Sequence, residues 1–184
     1  MVYHISQIFA FFTLISDIFI ILFLGLGLYQ KFNKNKYRLY SNINIYLKEK
    51  YLLFAFVISL AAMLGSLYYS EILGYNPCKL CWLQRIFIYP QTFLFGVALI
   101  IKDRKIAIYS IVLSFFGGLI ASFHYWLQIS NTLSFSCDVI GNSSSCTEKF
   151  FLQFGYITIP VMALTVFILL IILGFYSFER KVSL

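Results

Sequence analysis

The sequence predicts an all-α integral membrane protein with five transmembrane helices. Apolar residues make up 61% of the chain and charged residues only 11%, and the mean hydropathy is +0.86. Such a chain cannot cover its apolar surface with polar side chains in water. It also contains five apolar runs, each separated from the next by a polar segment. The net charge of +7 therefore indicates membrane orientation and not nucleic-acid binding, because the basic residues cluster between these runs.

The first apolar run covers residues 8–29, long enough to cross the roughly 30 Å hydrocarbon core as a helix. Basic residues follow this run and do not precede it, so it does not match a cleavable signal peptide. Asp17 lies near its middle, where a carboxylate is costly and must face protein or water. We expect Asp17 at a helix interface; a functional intramembrane acid is the alternative. The basic segment 30–50 that follows is predicted to be a cytoplasmic linker.

Four further runs are predicted to span the membrane: residues 51–72, 82 or 86 to 101, 106–128 and 157–178. The second run carries Ala61, Ala62, Gly65 and Ser66, a small-residue face typical of close helix packing. Gly117 and Gly118 indicate a close helix crossing in the fourth run.

The distribution of charge predicts the orientation. Eleven of the fourteen Lys and Arg residues fall in the three segments expected inside the cell, and the others are Lys79, Arg85 and Lys149. Five spans then place the N-terminus outside and the C-terminus in the cytoplasm of a cell-membrane protein. All four cysteines fall on the outer face, where disulfides are made and kept.

Two of the cysteines lie in a short polar break between the second and third runs. Asn76 is expected to cap the third helix and Pro77 to occupy its first position. Cys78 and Cys81 would then share one face of the first turn, roughly 5 Å apart, within the range that a disulfide spans. A helix N-terminus also favours the thiolate. The pattern predicts a reactive cysteine pair.

The other two cysteines, Cys137 and Cys146, lie in a long polar loop, residues 129–156. A capping-box pattern from Ser145 to Glu148 predicts that Cys146 opens a further short helix. Two cysteine pairs on one membrane face can pass electrons by thiol–disulfide exchange. The loop pair can meet a soluble partner, and the pair against the bilayer can meet an acceptor dissolved in lipid, for which a quinone is the expected compound.

Arg85 follows Cys81 by four residues on the same helical face, where it could donate hydrogen bonds to a quinone oxygen. The alternative is that Arg85 only extends to the lipid headgroups. The alternative for the cysteines is a non-catalytic protein with structural disulfides or a zinc site, although their spacing matches paired zinc motifs poorly. We expect no metal. His4 and His124 are interpreted as interfacial residues and not as ligands.

The segment Pro77-Cys78-Lys79-Leu80-Cys81-Trp82-Leu83-Gln84-Arg85 between two spans resembles the DsbB family of disulfide-forming membrane proteins, and its BdbC-like branch above all. Residues 61–72 and 154–160 show the same likeness, which runs from about Lys50 to the last span. The resemblance implies a four-helix bundle in residues 50–184 that re-oxidises an extracytoplasmic thioredoxin-fold thiol oxidase, DsbA-like or BdbD-like. The electrons would pass to a membrane quinone, ubiquinone or menaquinone, and exported proteins would gain disulfide bonds.

The same resemblance implies roles for the cysteines as two redox-active pairs, Cys78–Cys81 and Cys137–Cys146. Cys137 would be attacked by the partner's thiol, and Cys146 would exchange with Cys78. Cys81 would face the quinone, with Arg85 and Gln84 as quinone-binding residues beside it. Residues 1–49, one extra N-terminal transmembrane helix and the basic linker, depart from the four-span pattern, and the resemblance implies no role for them.

Overall fold

The structure is a computed structural model that describes residues 2–33, 38–130, 146–147 and 150–178. In these residues the chain forms five long helices: α1 (Val2–Asn33), α2 (Arg38–Leu67), α3 (Lys79–Ile101), α4 (Ile106–Ser130) and α5 (Ile159–Phe178). A short π-helical segment, Tyr68–Ile72, continues α2. Each of the five helices is long and apolar enough to cross a membrane, which confirms the predicted all-α class.

Four of the helices form a closed ring. Helix α2 packs against α3, α3 against α4, α4 against α5, and α5 against α2, while α1 lies outside this ring against α5 and α2. The core between the four includes the buried side chains of Tyr51, Phe95 and Phe167. The arrangement is a four-helix bundle plus one additional N-terminal helix, as expected.

Helices α4 and α5 are in close contact at Gly117. A Cβ atom at this position would overlap the aromatic ring of Phe167 on α5. Gly174 has the same function on α5, where an added Cβ would lie 2.6 Å from the Ile111 side chain. The predicted close crossing at Gly117 is confirmed, and it depends on the missing side chains because protein interiors leave no spare volume at such a contact.

Helices α3 and α4 are joined by buried polar side chains. The Gln91 Oε1 atom accepts hydrogen bonds from Ser110 (2.6 Å) and Ser114 (3.1 Å), and its Nε2 donates to the Phe87 carbonyl (2.8 Å). Each polar atom of the Gln91 amide is thus paired, as a membrane interior requires. This contact fixes the rotation of α3 relative to α4 and therefore which α3 residues face inward.

The basic segment 30–50 is largely helical, because α1 extends to Asn33 and α2 begins at Arg38. A tight basic turn, residues 102–105, connects α3 to α4, and α3 ends with Lys102 in a left-handed conformation. Tyr51 of α2 donates a hydrogen bond to the Arg104 carbonyl in this turn (3.1 Å). These contacts join α2 to the α3–α4 turn.

The short helix predicted at Cys146 is wrong for the residues that the structure describes. Residues 146–147 form a turn, and Gln153 pairs with Ile157 in an antiparallel bridge (N···O distances of 3.0 and 2.9 Å). Phe154 and Gly155 between them have positive φ angles of 52° and 78°. The left-handed conformation at Gly155 favours a reversing turn over a helix, since glycine adopts it without steric cost.

Candidate redox site at the end of the bundle

Helix α3 begins at the cysteine pair, but its cap is not the predicted one. Cys78, and not Asn76, occupies the N-cap position with an extended backbone, and its Sγ accepts a hydrogen bond from the Cys81 backbone N–H (3.4 Å). The N-cap therefore lies two residues after the predicted one, and a cysteine sulfur accepts the hydrogen bond that the asparagine oxygen was expected to accept. The two cysteines still lie together at the start of the helix, with Sγ atoms 3.2 Å apart, and both are free thiols.

His124 lies against this pair, at the end of α4. Its Nε2 is 3.7 Å from the Cys78 Sγ, and its Nδ1 is 3.0 Å from the Gln84 Nε2. The ring is only 2% exposed, so the interpretation of His124 as an interfacial residue is wrong. The sequence did contain a signal for it. Since α3 and α4 are antiparallel neighbours, residues about equally far from their short connecting turn meet side by side, as Gln84 and His124 do.

The surroundings of Cys78 favour its thiolate. A hydrogen bond from the Cys81 thiol lowers the pKa of Cys78 well below its usual range, burial opposes this effect, and His124 adds to the lowering. A low pKa increases the fraction of thiolate, which is the nucleophile of thiol–disulfide exchange. The geometry supports Cys78 as the reactive member of the pair.

Cys146 lies at the same end of the bundle. It is disulfide-bonded and 2% exposed, and it packs in one apolar cluster with Cys78 and Leu127. The structure thus brings together three of the four cysteines predicted to act in electron transfer. Cys137 lies outside the described residues.

A small cavity of about 20 Å³ separates Cys78, Cys81 and His124 from the segment around Phe150 and Phe151. The two Sγ atoms and one ring nitrogen of His124 lie within 4.8 Å of one another, so these residues could also hold a thiophilic metal ion. Cys146 is in a disulfide while Cys78 and Cys81 are free, so the sulfur of Cys146 does not join this group of possible ligands.

A much larger cavity of about 550 Å³ also borders Cys81. Helices α1, α2, α3 and α5 enclose it, and its lining is mostly apolar. Along α2 and the π-helical segment after it, the lining runs from Val57 to Ser70, which corresponds to a length of roughly 20 Å along the helix axis. Cys81, Gln84 and Arg85 supply the polar end. Its volume lies within the range of about 300–1,000 Å³ typical of small-molecule sites.

Arg85 is buried beside this cavity. Its Nε donates to the Ser66 hydroxyl (2.9 Å), its Nη2 donates to the Ser66 carbonyl (3.1 Å), and the guanidinium lies 5.0 Å from the centre of the Trp82 ring. Tyr89 also donates to the Ser66 hydroxyl (3.2 Å). In the part of the chain that the structure describes, no carboxylate pairs with Arg85. A buried cation of this kind favours an electron-rich ligand.

The small-residue face of α2 lines the large cavity, through Ala61, Ala62, Gly65 and Ser66. Ala62 also packs against the bundle core, and Ser66 bonds to α3. At Gly65 the nearest side chain is on α1, since an added Cβ would lie 3.6 Å from the Phe9 ring. The lack of large side chains leaves the space that becomes the cavity. The sequence indicated Ser66 only as a small residue, and its bonding to Arg85 depends on the packing of α2 against α3.

The fold and the site define a multi-pass membrane protein with a pair of adjacent free cysteines at one end of its bundle, next to an apolar cavity. The family model described as disulfide bond formation protein DsbB matches residues 48–177, and the chain belongs to this family. Membership assigns it to the membrane proteins of disulfide bond formation.

The relatives of this chain support the same assignment. It is 40% identical over 135 residues to "Probable disulfide formation protein C 1" of Bacillus anthracis, which covers 73% of this chain and 96% of that protein. It is 39% identical over 118 residues to "Disulfide bond formation protein C" of Bacillus subtilis (strain 168), which covers 64% of this chain and 85% of that protein. No solved structure matches the chain. These relatives confirm the resemblance to the BdbC-like branch.

Proposed function

We propose that this protein is a quinone-dependent thiol oxidase that re-oxidises a thioredoxin-fold partner outside the cytoplasm. One observation carries the proposal: the cysteine pair lies between two different environments. Cys78 packs in one cluster with Cys146, Cys81 packs against this cluster, and Cys81 is the member of the pair that also lines the large apolar cavity with Arg85. Electrons that enter through the first contact can therefore leave through the second.

The cysteine steps balance as exchange reactions. A partner's two thiols reduce the disulfide that we assign to Cys137 and Cys146, and they become a disulfide themselves. The Cys146 thiolate then attacks Cys78 of a Cys78–Cys81 disulfide, and the Cys81 thiolate is released. Cys137 attacks Cys146, which re-forms the loop disulfide and releases Cys78. Two electrons and two protons have then moved from the partner to the Cys78 and Cys81 pair.

His124 supports these steps through its contact with Cys78. An imidazole 3.7 Å from the sulfur stabilises negative charge on Cys78 each time this residue leaves a mixed disulfide. Gln84 bonds to the other ring nitrogen and fixes the orientation of the ring. Gln84 also lines the large cavity, so one amide contacts both the histidine and the acceptor site.

The large cavity fits a quinone in volume and in the character of its lining. When bound, a quinone supplies a two-electron, two-proton acceptor next to Cys81. Arg85 would hold a ring oxygen by hydrogen bonding and favour negative charge there. Ser66 keeps the guanidinium in place, and Trp82 covers one face of it.

The distribution of basic residues supports the proposed orientation of the chain in the membrane. We place the N-terminus outside, the C-terminus in the cytoplasm and the cysteines on the outer face of the cell membrane. A single cysteine introduced at Lys105 of a cysteine-free variant tests this with a membrane-impermeant thiol reagent. We expect the reagent to label this cysteine only after the cells are lysed. Labelling in intact cells would show that the proposed orientation is the wrong way round.

The decisive experiment is quinone reduction by the purified protein with a reduced thioredoxin-fold partner. We expect no turnover for Cys78→Ser or Cys137→Ser, because each removes one member of a pair. Lys79→Ala is the matched control, since Lys79 lies between the two cysteines but is exposed. Turnover at the wild-type rate in both cysteine variants would contradict the proposed electron transfer through the two cysteine pairs.

The second candidate function is a metal site, which the convergence of Cys78, Cys81 and His124 favours. Metal analysis and thiol alkylation of the purified protein separate the two candidates. Two thiols that are oxidised by added quinone indicate the oxidase. Stoichiometric zinc that is lost in His124→Ala, with no reaction toward quinone, indicates the metal site.

A further inference from the structure

Helix α1 is an addition to the family pattern. The family match begins at residue 48, and the Bacillus anthracis relative is covered over 96% of its own length by 73% of this chain. The extra helix nevertheless packs onto the bundle, against α2 and α5. This position brings α1 to the large cavity, since α2 and α5 both line that cavity.

One face of α1 completes the wall of this cavity. Phe9, Phe12, Thr13 and Ser16 line it, and their spacing of three, four and seven residues places them along one side of the helix. Most other large side chains of α1 are exposed, as expected for a helix in contact with lipid. The cavity side of α1 is therefore a defined stripe.

Polar contacts hold this stripe in register. The Asp17 carboxylate accepts hydrogen bonds from Thr165 (2.6 Å) and from Tyr156 (3.0 Å), which confirms the helix interface expected for Asp17. Toward the other end of the stripe, the Ser6 side chain hydrogen-bonds to the Tyr69 hydroxyl. A carboxylate bonded within a membrane helix interface resists displacement, because separation would leave it unpaired in lipid.

We propose that the α1 side of the cavity is a binding subsite for the polyprenyl tail of the quinone, and that α1 selects for quinones that carry such a tail. The inference rests on the proposed function. A ring placed beside Cys81 and Arg85 occupies the polar end of the cavity only. From Ser66, which bonds to Arg85, the remaining part extends over about 14 Å to Val57, and its mostly apolar lining matches an isoprenoid chain.

Direct binding to the full-length protein in detergent, freed of endogenous quinone, tests the subsite. The probes are a naphthoquinone with a four-unit isoprenoid tail and the same ring with a methyl group in its place. We expect Phe12→Ala and Ser16→Trp to weaken binding of the tailed compound about tenfold and to leave the tail-free compound unchanged. Phe11→Ala is the matched control, since this neighbouring side chain is also exposed but does not line the cavity.

A tailed quinone with a photoreactive group at the end of its tail provides a second measurement that does not depend on a variant. Mass spectrometry should find the label on α1 between Phe9 and Ser16. Equal weakening of both compounds, unchanged binding of the tailed compound, or labelling confined to α3 and α4 would overturn the tail subsite. If neither compound binds to the wild-type protein, the proposed quinone acceptor fails as well, which is a distinct result.

Discussion

The Ser66 hydroxyl is the contact on which the position of Arg85 depends most. It accepts hydrogen bonds from the Arg85 Nε (2.9 Å) and the Tyr89 hydroxyl (3.2 Å). Ser66→Ala removes this acceptor but keeps the backbone carbonyl, which accepts from the Arg85 Nη2 (3.1 Å). The guanidinium is then held by one hydrogen bond in place of two.

The expected size of the effect follows from these bonds. A hydrogen bond to a charged group contributes about 1.5–3 kcal/mol, and Arg85 is buried, so little water replaces the lost acceptor. We expect the free energy of unfolding of Ser66→Ala to fall by about 1.5–3 kcal/mol. Quinone affinity should fall about tenfold, equivalent to about 1.4 kcal/mol, since half of the anchoring of the guanidinium remains.

Equilibrium quinone binding and thermal unfolding of the purified protein measure the two effects. Ser59→Ala is the control, because this buried serine of α2 donates to the Phe56 carbonyl and does not line the cavity. If Ser66→Ala and Ser59→Ala have the same stability and the same quinone affinity, the reasoning about Arg85 is refuted.

Three further predictions concern other contacts. His124→Ala should raise the pKa of the Cys78 thiol. As the pH is lowered, the thiolate absorbance and the alkylation rate should therefore decline at a higher pH in the variant than in the wild type. Coincident titration curves would contradict the role of His124. Gly117→Ala should destabilise the protein by about 1–3 kcal/mol through overlap at the α4–α5 crossing. Gly25→Ala, with no atom within 4 Å of the added Cβ, should not destabilise it; equal effects would refute the packing argument. Thr165→Val should lower the free energy of unfolding by about 1.5–3 kcal/mol by removing a hydrogen bond to a carboxylate, and unchanged thermal unfolding would show that this bond does not hold α1.

The polar contacts of the site could not be predicted from the sequence, although several of the participating residues could be. Arg85 was predicted beside Cys81 because four residues bring side chains to one face of a helix. Its partner Ser66 lies on another helix, and hydropathy does not determine how far each helix is rotated about its axis. For His124, the short turn between α3 and α4 indicates its level along α3, but the rotation of α4 decides that its ring faces Cys78.

The sequence by itself determined the features that depend on short segments of chain. Five apolar runs of sufficient length require five membrane-crossing helices, and three-residue spacing places Cys78 and Cys81 in one turn. Only the tertiary structure decided that small residues of α2 enclose a cavity, that a cysteine caps α3, and that the N-terminal helix closes the cavity wall. The physical reason is that helices with apolar side chains on most sides carry little information about which face meets a neighbour, and that choice is made by packing and by a few buried hydrogen bonds.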